Sequence, residues 1–189
     1  MVNVTVDGQK VEVPKGSTIL EAAKRVGIKI PTLCHHEDLN VNAMCRICVV
    51  EVVGARTLQA ACSQPVSDGM VIITNSPAVR QARKMNLELL LSNHPQDCLN
   101  CVRNQRCELQ TLADQLGVRA QSFPAKKGSE YPKDESTAAL VRDPDKCILC
   151  RRCVEVCHDV QGVGAIGAAN RGIDTQILPA GGVDLNDVA

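Results

Sequence analysis

Residues 2–13 read VNVTVDGQKVEV, and this stretch decides how the first part of the chain folds. Apolar and polar residues alternate over 2–7 and again over 10–13, which is typical of half-buried β-strands. Asp7 and Gly8 lie between the two runs and form a tight-turn signal. The sequence therefore predicts an antiparallel hairpin at the start of the chain.

The elements predicted after this hairpin indicate the fold class. Thr18 and Glu21 have the spacing of a capping box, which predicts a helix that ends at Gly27. Residues 47–53 and 70–74 are rich in β-branched side chains and are predicted to be strands. A hairpin, one helix and then further strands is the element order of a β-grasp sheet with a helix packed across it.

The composition excludes several classes of function. The 189 residues include 21 basic and 21 acidic side chains, so no basic surface for nucleic acid is predicted. No apolar run approaches the roughly 18 residues of a membrane span, and the first residues do not resemble a signal peptide. The chain is therefore predicted to be cytoplasmic, where eleven cysteines, an odd number, favour metal or redox roles over disulfides.

The first group of candidate metal ligands is typical of a ferredoxin-type [2Fe–2S] site. It contains four cysteines in a C-x10-C-x2-C-x13-C spacing: Cys34, Cys45, Cys48 and Cys62. Such sites use a loop of cysteines followed by one distant cysteine, so that two thiolates reach each iron. The first gap is longer than in plant-type ferredoxins, which predicts a larger loop around the cluster.

The second group combines one histidine with three cysteines and is predicted to hold a [4Fe–4S] cluster. Its spacing is H-x3-C-x2-C-x5-C, and its members are His94, Cys98, Cys101 and Cys107. Imidazole can replace thiolate at iron, and a neutral ligand should raise the reduction potential of the cluster. Zinc is the rival metal, because three cysteines and one histidine also suit a tetrahedral zinc ion.

The third group has the C-x2-C-x2-C-x3-C run of bacterial [4Fe–4S] ferredoxins. Its members are Cys147, Cys150, Cys153 and Cys157, and His158 stands where proline is expected. In two-cluster ferredoxins the fourth cysteine of such a run binds the other cluster. Cys157 therefore either completes a local cluster or binds a further one, and the run favours an incomplete module whose remaining ligands lie beyond Ala189.

The other polar residues indicate no catalytic site in this chain. His35, His36 and His158 adjoin ligand cysteines and are interpreted as bystanders, because no ligand position is left open for them. The candidate serine nucleophiles have no histidine available as a base. The isolated chain is therefore predicted to perform no catalysis, although it can belong to an enzyme complex.

The ligand groups predict an α+β chain of three modules. A β-grasp [2Fe–2S] domain is predicted over 1–75, and a small helical [4Fe–4S] domain over 76–118 contains helices over 76–91 and 108–116. Residues 119–140 are polar, carry Pro124, Gly128 and Pro132, and are interpreted as a linker or irregular loop. Residues 141–189 are predicted to be an incomplete ferredoxin-type module.

Three segments together resemble the N-terminal region of the multi-cluster [FeFe]-hydrogenases. They are PTLCHHEDLNVNAMCRICVVEV (31–52), LLLSNHPQDCLNCVRNQRCELQTLA (89–113) and DKCILCRRCVEVCHDVQGVGAIGAANRG (145–172). The first two modules are also similar to those in the large iron–sulfur subunit of respiratory complex I and in NAD-linked formate dehydrogenases. The VQGVGAIGAANRG stretch favours the hydrogenase branch.

The resemblance implies an electron relay between a partner subunit and a catalytic domain. In that family a second ferredoxin run follows, and then a domain that carries the H-cluster. It implies that Cys157 binds a cluster whose other ligands lie beyond Ala189, and that the other three cysteines of its run await a fourth ligand there. It also implies a flavin-bearing NAD(P)-linked subunit and a small [2Fe–2S] subunit as partners.

Two other functions remain open at this point. The relay could belong to a complex I-type diaphorase or to an NAD-dependent formate dehydrogenase. A zinc-stapled scaffold protein is the more remote alternative, because the gaps in the first cysteine group are unusual for a zinc finger.

Overall fold

The computed structural model describes residues 1–120, 122–123 and 132–188. Its first part contains a five-stranded sheet in the order β2-β1-β5-β3-β4, crossed by one short helix. The strands are β1 (Val2–Val6), β2 (Gln9–Val13), β3 (Val49–Val52), β4 (Gln59–Ala60) and β5 (Val71–Ile73). The α-helices of these described residues are α1 (Ile19–Arg25), α2 (Pro77–Ser92), α3 (Glu108–Gln115) and α4 (Arg152–Glu155).

The amino-terminal hairpin is confirmed. β1 pairs antiparallel with β2, and Val2 lies opposite Val13. Asp7 and Gly8 have φ values of 48° and 84°, as a two-residue turn with left-handed central residues requires. β5 then pairs in parallel with β1, which places β1 in the interior of the sheet.

The first core lies between this sheet and α1. The capping box is confirmed, because the Thr18 side chain accepts from the Glu21 backbone and the Glu21 side chain accepts from the Thr18 backbone. Ile19, Ala22 and Ala23 of α1 are fully buried. Two alanines on this face allow the helix to pack closely on the valines of the sheet, so a dense core forms without aromatic rings.

A second core joins α2 and α3 to the cysteine loop of the first module. α2 begins at Pro77 with Ser76 as its N-cap, and it extends one residue beyond the predicted end. Leu87 of α2 is fully buried and belongs to one apolar cluster with Ile47 of the loop and Leu112 of α3. α2 therefore packs on the first module while its carboxyl end leads into the second ligand group.

The last part of the chain contains structure that the sequence did not predict. β6 (Ile166–Ala169) and β7 (Gln176–Pro179) form a two-stranded antiparallel sheet. The β6 sequence, IGAA, has neither alternation nor β-branched residues beyond its first, so no strand pattern is visible. α4 continues directly into a π-helical turn, Val156–Val160, which contains Cys157.

Part of the predicted linker is well anchored. Asp134 is buried, and its carboxylate accepts hydrogen bonds from Ser136 and from the backbone N–H of Leu185. The backbones of Asp134 and Arg142 also pair with each other. The described part of the predicted linker or irregular loop over 119–140 is therefore irregular but anchored around Asp134, while residues 124–131, with Pro124 and Gly128, lie outside the described residues.

We expect Asp134→Asn to lower the thermal unfolding temperature at neutral pH. The hydrogen bond from the Ser136 side chain, followed in size by the one from the Leu185 backbone, holds the pKa of Asp134 below its ordinary value of 3.8. Because this pKa is lower in the folded than in the unfolded state, the ionised carboxylate stabilises the fold above about pH 4. That stabilisation is lost as the pH falls through the pKa of the folded state. The difference in unfolding temperature between wild type and variant should therefore shrink below pH 4.

The neighbouring exposed Glu135 provides the control for this prediction. Glu135→Gln removes the same charge without a buried hydrogen-bond network, and it should leave the unfolding temperature nearly unchanged. An Asp134→Asn difference in unfolding temperature that stays constant from pH 7 to pH 3 would contradict the role given to this carboxylate.

Of the helices in residues 1–120, 122–123 and 132–188, none is long and apolar enough to cross a bilayer.

Candidate metal centres

The first ligand group is brought together inside the first module. All four cysteines are buried, and the Sγ atoms of Cys48 and Cys62 lie 3.4 Å apart. The thiols of Cys34 and Cys45 also form a hydrogen-bonded pair. Two thiolates on one tetrahedral metal at about 2.3 Å would lie about 3.8 Å apart, so the Cys48–Cys62 spacing fits two ligands of a single iron.

Hydrogen bonding within each pair prepares one sulfur for metal binding. The hydrogen bond with Cys34 lowers the pKa of Cys45 to about 6, although burial acts in the opposite direction. In the same way the hydrogen bond with Cys62 lowers the pKa of Cys48 to about 7. The pKa values of Cys34 and Cys62 are raised by the same bonds. Each pair therefore holds one thiolate near neutral pH, which is the form that binds iron.

Two side chains of α2 hold the Cys45–Cys48 loop and the first residue of the strand that follows it. Asn86 donates to the carbonyl of Arg46 at 2.8 Å, and Arg83 donates to the carbonyl of Val49 at 2.8 Å. Arg46 has a left-handed backbone with φ 53°, a conformation that costs a non-glycine residue about 1–3 kcal/mol unless its surroundings hold it. Sequence reasoning missed both side chains, because only their i, i+3 spacing on one helix face hinted at a shared contact.

The second ligand group surrounds a cavity of about 530 Å³. His94 follows the end of α2, and Cys107 is the N-cap residue of α3. Cys98 begins a 3₁₀ turn, Cys98–Asn100, between the two helices, and Cys101 follows it. All four predicted ligands line this cavity: His94, Cys98, Cys101 and Cys107.

His94 has the properties of a neutral ligand. Its Nδ1 atom is buried and has no hydrogen-bond partner within the described chain. Burial, together with the charge of Lys146, lowers the pKa of His94 below its ordinary value of 6.5, although Asp143 opposes the shift. The imidazole is therefore uncharged near neutral pH, which is the form that coordinates metals. An orphaned buried nitrogen beside three thiols fits a site that a metal centre completes.

The third ligand group lies on a tightly turned stretch. Cys147 and Cys153 line a second cavity of about 250 Å³. Leu149 and Arg151, the residues on either side of Cys150, have left-handed φ values of 56° and 60°. Two such non-glycine residues in one short loop resemble the strained backbone that often occurs at functional sites.

Cys157 is held by the chain that follows it. Its Sγ accepts the backbone N–H of Ala165 at 3.2 Å. Its carbonyl accepts from Val163 at 3.0 Å and from Gly164 at 3.1 Å. Hydrogen bonds to sulfur stabilise thiolate ligands and raise cluster potentials, so this environment suits a cluster ligand. Whether Cys157 completes a local cluster or binds a further one stays a prediction.

One apolar core connects the three ligand groups. Cys34 and Cys45 of the first group are buried in the second core, and Cys107 and Cys150 pack against it. The long loop after Cys34 also contacts the third module directly. In that loop Asn42 donates to the carbonyl of Cys150 at 3.1 Å. The larger loop predicted from the x10 gap therefore serves as a bridge between modules.

The donor sets fit clusters with more than one iron. Within residues 1–120, 122–123 and 132–188, no three histidine, cysteine or acidic side chains are close enough together to hold a single metal ion. The ligands instead form pairs or surround a cavity, as the several irons of a cluster require. Of the three histidines interpreted as bystanders, His35 and His36 line a further cavity with Cys62, and His158 contacts Asp159 at 2.7 Å between Nδ1 and Oδ1.

Three family models match successive parts of the chain. Residues 1–77 match a 2Fe-2S iron-sulfur cluster binding domain. Residues 83–122 match the iron-sulfur binding region of NADH-ubiquinone oxidoreductase-G, and residues 139–186 match the ferredoxin-like domain of NADH-quinone oxidoreductase subunit 3. The match of the second region favours iron–sulfur over the zinc alternative.

A solved structure resembles the whole chain. In the crystal structure of NAD+-reducing [NiFe]-hydrogenase in the H2-reduced state, one chain superposes with a TM-score of 0.91 at 32% identity. The match covers 100% of this chain and 79% of that chain. This protein belongs to the NADH-quinone oxidoreductase G-like iron–sulfur family. As a member of this family it is a mixed α/β iron–sulfur protein with 2Fe–2S and 4Fe–4S binding regions.

Curated relatives of this G-like protein include hydrogenase and oxidoreductase subunits. The NADP-reducing hydrogenase subunit HndD of Solidesulfovibrio fructosivorans is 49% identical over 99% of this chain. An NADH-quinone oxidoreductase subunit of Rhizobium meliloti is 41% identical over 94% of the chain. The chain spans 33% of the first relative and 21% of the second, so these relatives are several times longer.

Proposed function

We propose that this chain is the electron relay of an NAD(P)-linked hydrogenase. The observation that carries the proposal is the second core, which contains or touches cysteines of all three ligand groups. Single-electron transfer weakens steeply with distance, so a relay needs its redox centres close together and shielded from water. Bound clusters supply the one-electron chemistry, while the polypeptide holds them, excludes water and sets their potentials.

We propose the ligands as the spacing predicted them. Cys34 and Cys45 bind one iron of the [2Fe–2S] cluster, and Cys48 and Cys62 bind the other, as their two hydrogen-bonded pairs suggest. The second group binds a [4Fe–4S] cluster through the imidazole of His94 and the three thiolates that share its cavity. In the third group a further [4Fe–4S] cluster is bound by three cysteines, Cys147, Cys150 and Cys153. This cluster needs a fourth ligand from beyond residue 189.

The domain division follows these ligand groups. A β-grasp [2Fe–2S] domain over 1–75 is supported by the sheet order and by the single crossing helix. The His-ligated domain covers 76–118, and the incomplete ferredoxin-type module covers 141–189. Eleven free cysteines suit a reducing compartment such as the cytoplasm.

Sequence identity favours a hydrogenase complex, because the hydrogenase relative is 49% identical to this chain and the NADH-quinone oxidoreductase relative is 41% identical. On this proposal the chain passes electrons between a flavin-bearing NAD(P)-linked subunit, assisted by a small [2Fe–2S] subunit, and a hydrogen-activating domain outside residues 1–189. An [FeFe] H-cluster domain is the form that the sequence resemblance implies. A complex I-type diaphorase is the second candidate, since the matched family models take their names from that enzyme. The formate dehydrogenase alternative stays a prediction.

Freeze-quench EPR tests the relay. The anaerobic protein is mixed with dithionite at less than one electron per chain, and samples are frozen at increasing times. We expect the signals of the separate clusters to reach their final ratio at a rate independent of protein concentration, because transfer occurs within one chain. Redistribution that speeds up in proportion to protein concentration would contradict an internal relay.

Purification of the tagged chain with its natural partners separates the two candidates. Hydrogen-dependent reduction of NAD or NADP by the complex is the result expected for a hydrogenase. Oxidation of NADH without any hydrogen-dependent activity would favour the complex I-type alternative.

Replacement of His94 by cysteine should lower the potential of the second cluster. The variant exchanges a neutral imidazole for a thiolate, and the added negative charge disfavours the reduced form. The measurement is a redox titration of the [4Fe–4S] EPR signal, with the [2Fe–2S] signal as the internal reference. His36→Cys provides the control, because His36 is a half-exposed bystander and its replacement should move neither potential. A second-cluster potential unchanged by His94→Cys would contradict ligation by His94.

A further inference from the structure

The α2 helix places a buried cation beside the first ligand group. Arg83 is only 6% exposed, although long charged side chains are almost never fully buried without a partner. Its guanidinium donates to the carbonyl of Val49, the residue that follows Cys48. Its Nε atom is buried and has no hydrogen-bond partner among the described residues.

Arg83 has no close counter-ion among the residues that the structure describes. Within the part of the chain that the structure describes, no carboxylate oxygen lies within 4.0 Å of its nitrogens. Asp7 is the carboxylate whose charge reaches it, but the Asp7 oxygens are bound by the backbone N–H and hydroxyl of Thr74. The other group whose negative charge reaches Arg83 is Cys48. The charge of an arginine persists when it is buried, so an uncompensated cation stands next to the cysteine loop.

We propose that Arg83 is a positioning residue that raises the reduction potential of the [2Fe–2S] cluster. This inference rests on the proposed assignment of the first cysteine group as the cluster ligands. Reduction adds an electron to a site that is already anionic, and a fixed cation in a poorly solvated environment stabilises that added charge. The cluster in turn supplies the counter-ion that Arg83 lacks.

The position of Arg83 on α2 explains how one helix serves two centres. Arg83 and Asn86 bind the loop of the first group, whereas the carboxyl end of α2 leads directly into His94. Arg83 lies near the middle of α2, and the nine residues from there to Ser92 place about 14 Å of helix between it and the end that leads to His94. The potential of the His94-containing cluster should therefore respond little to a change at Arg83, and it provides an internal reference.

Redox titration of Arg83→Met tests the proposal. Methionine keeps much of the apolar length and removes the charge. At a fixed ambient potential we expect the ratio of reduced to oxidised [2Fe–2S] cluster to fall about tenfold. Arg80→Met is the matched control, because Arg80 is an exposed cation on the same helix and its loss should leave the ratio unchanged. Arg83→Lys keeps the charge and should restore most of the wild-type ratio.

Each outcome distinguishes an electrostatic role of Arg83 from a purely structural one. An Arg83→Met cluster that assembles normally and titrates like wild type would overturn the inference, while the wild-type EPR signal would still support the [2Fe–2S] assignment. If Arg83→Met does not assemble, Arg83→Gln and Arg83→Lys are compared, and equal potentials in the two would overturn it. A wild-type protein without any [2Fe–2S] signal would instead overturn the proposed function.

Discussion

Replacement of Cys48 by alanine is expected to remove the [2Fe–2S] cluster. Cys48 is fully buried and pairs with Cys62 at 3.4 Å, so no water or surface side chain is placed to substitute for the lost thiolate. Iron content should fall by about two atoms per chain, because this cluster holds two irons. The [2Fe–2S] EPR signal should disappear, as measured on the dithionite-reduced protein alongside iron and acid-labile sulfide.

The remaining clusters provide the first control for Cys48→Ala. The second ligand group lies between the end of α2 and the start of α3, so its [4Fe–4S] signal should persist. Met44→Leu is the second control, because Met44 is 43% exposed and adjoins Cys45 without belonging to the proposed ligand set. Unchanged iron and an unchanged [2Fe–2S] signal in Cys48→Ala would show that the first cysteine group holds no cluster.

Replacement of Leu87 by alanine should have the largest effect on stability. Leu87 is fully buried in the core that also contains Cys34, Cys45 and Ile47 of the cysteine loop. Loss of a buried leucine side chain typically costs about 2–5 kcal/mol, from lost apolar burial and from the cavity left behind. The free energy of unfolding should fall by that amount in anaerobic denaturant titrations followed by cluster absorbance and by circular dichroism.

Leu89 offers a matched control two residues further along the same helix. Its side chain is 49% exposed, so Leu89→Ala removes the same atoms from a site that is already partly hydrated. We expect a cost several times smaller than that of Leu87→Ala. Similar losses for the two variants would contradict the packing of α2 against the cysteine loop.

The local elements of the first module could be predicted because their signals are short-range. The Asp7-Gly8 turn and the Thr18–Glu21 capping box depend on residues within a few positions of each other, and both are present. The candidate ligands could also be grouped from the number of residues between them, because metal-binding loops fix that number. The predicted strand over 47–53 begins two residues later, since Ile47 and Cys48 belong to the turn that presents the cysteines.

The contacts that join the modules could not be predicted from the sequence. Asn42 reaches Cys150 across 108 residues, and Arg83 reaches Val49 across 34. Such contacts depend on how separate elements pack, and an asparagine or arginine in a loop or on a helix usually faces solvent. The burial of Asp134 was hidden for the same reason, because its partner Leu185 lies far along the chain.

Low-temperature EPR of the dithionite-reduced protein, combined with iron and sulfide analysis of the same sample, shows whether the ligand groups hold iron–sulfur clusters. We expect a binuclear signal and a tetranuclear signal, with about six irons per chain, or about ten if the third group is also filled. Equal amounts of iron and acid-labile sulfide should accompany them. Stoichiometric zinc without sulfide, and no EPR signal on reduction, would mean that these side chains bind zinc and carry no electrons.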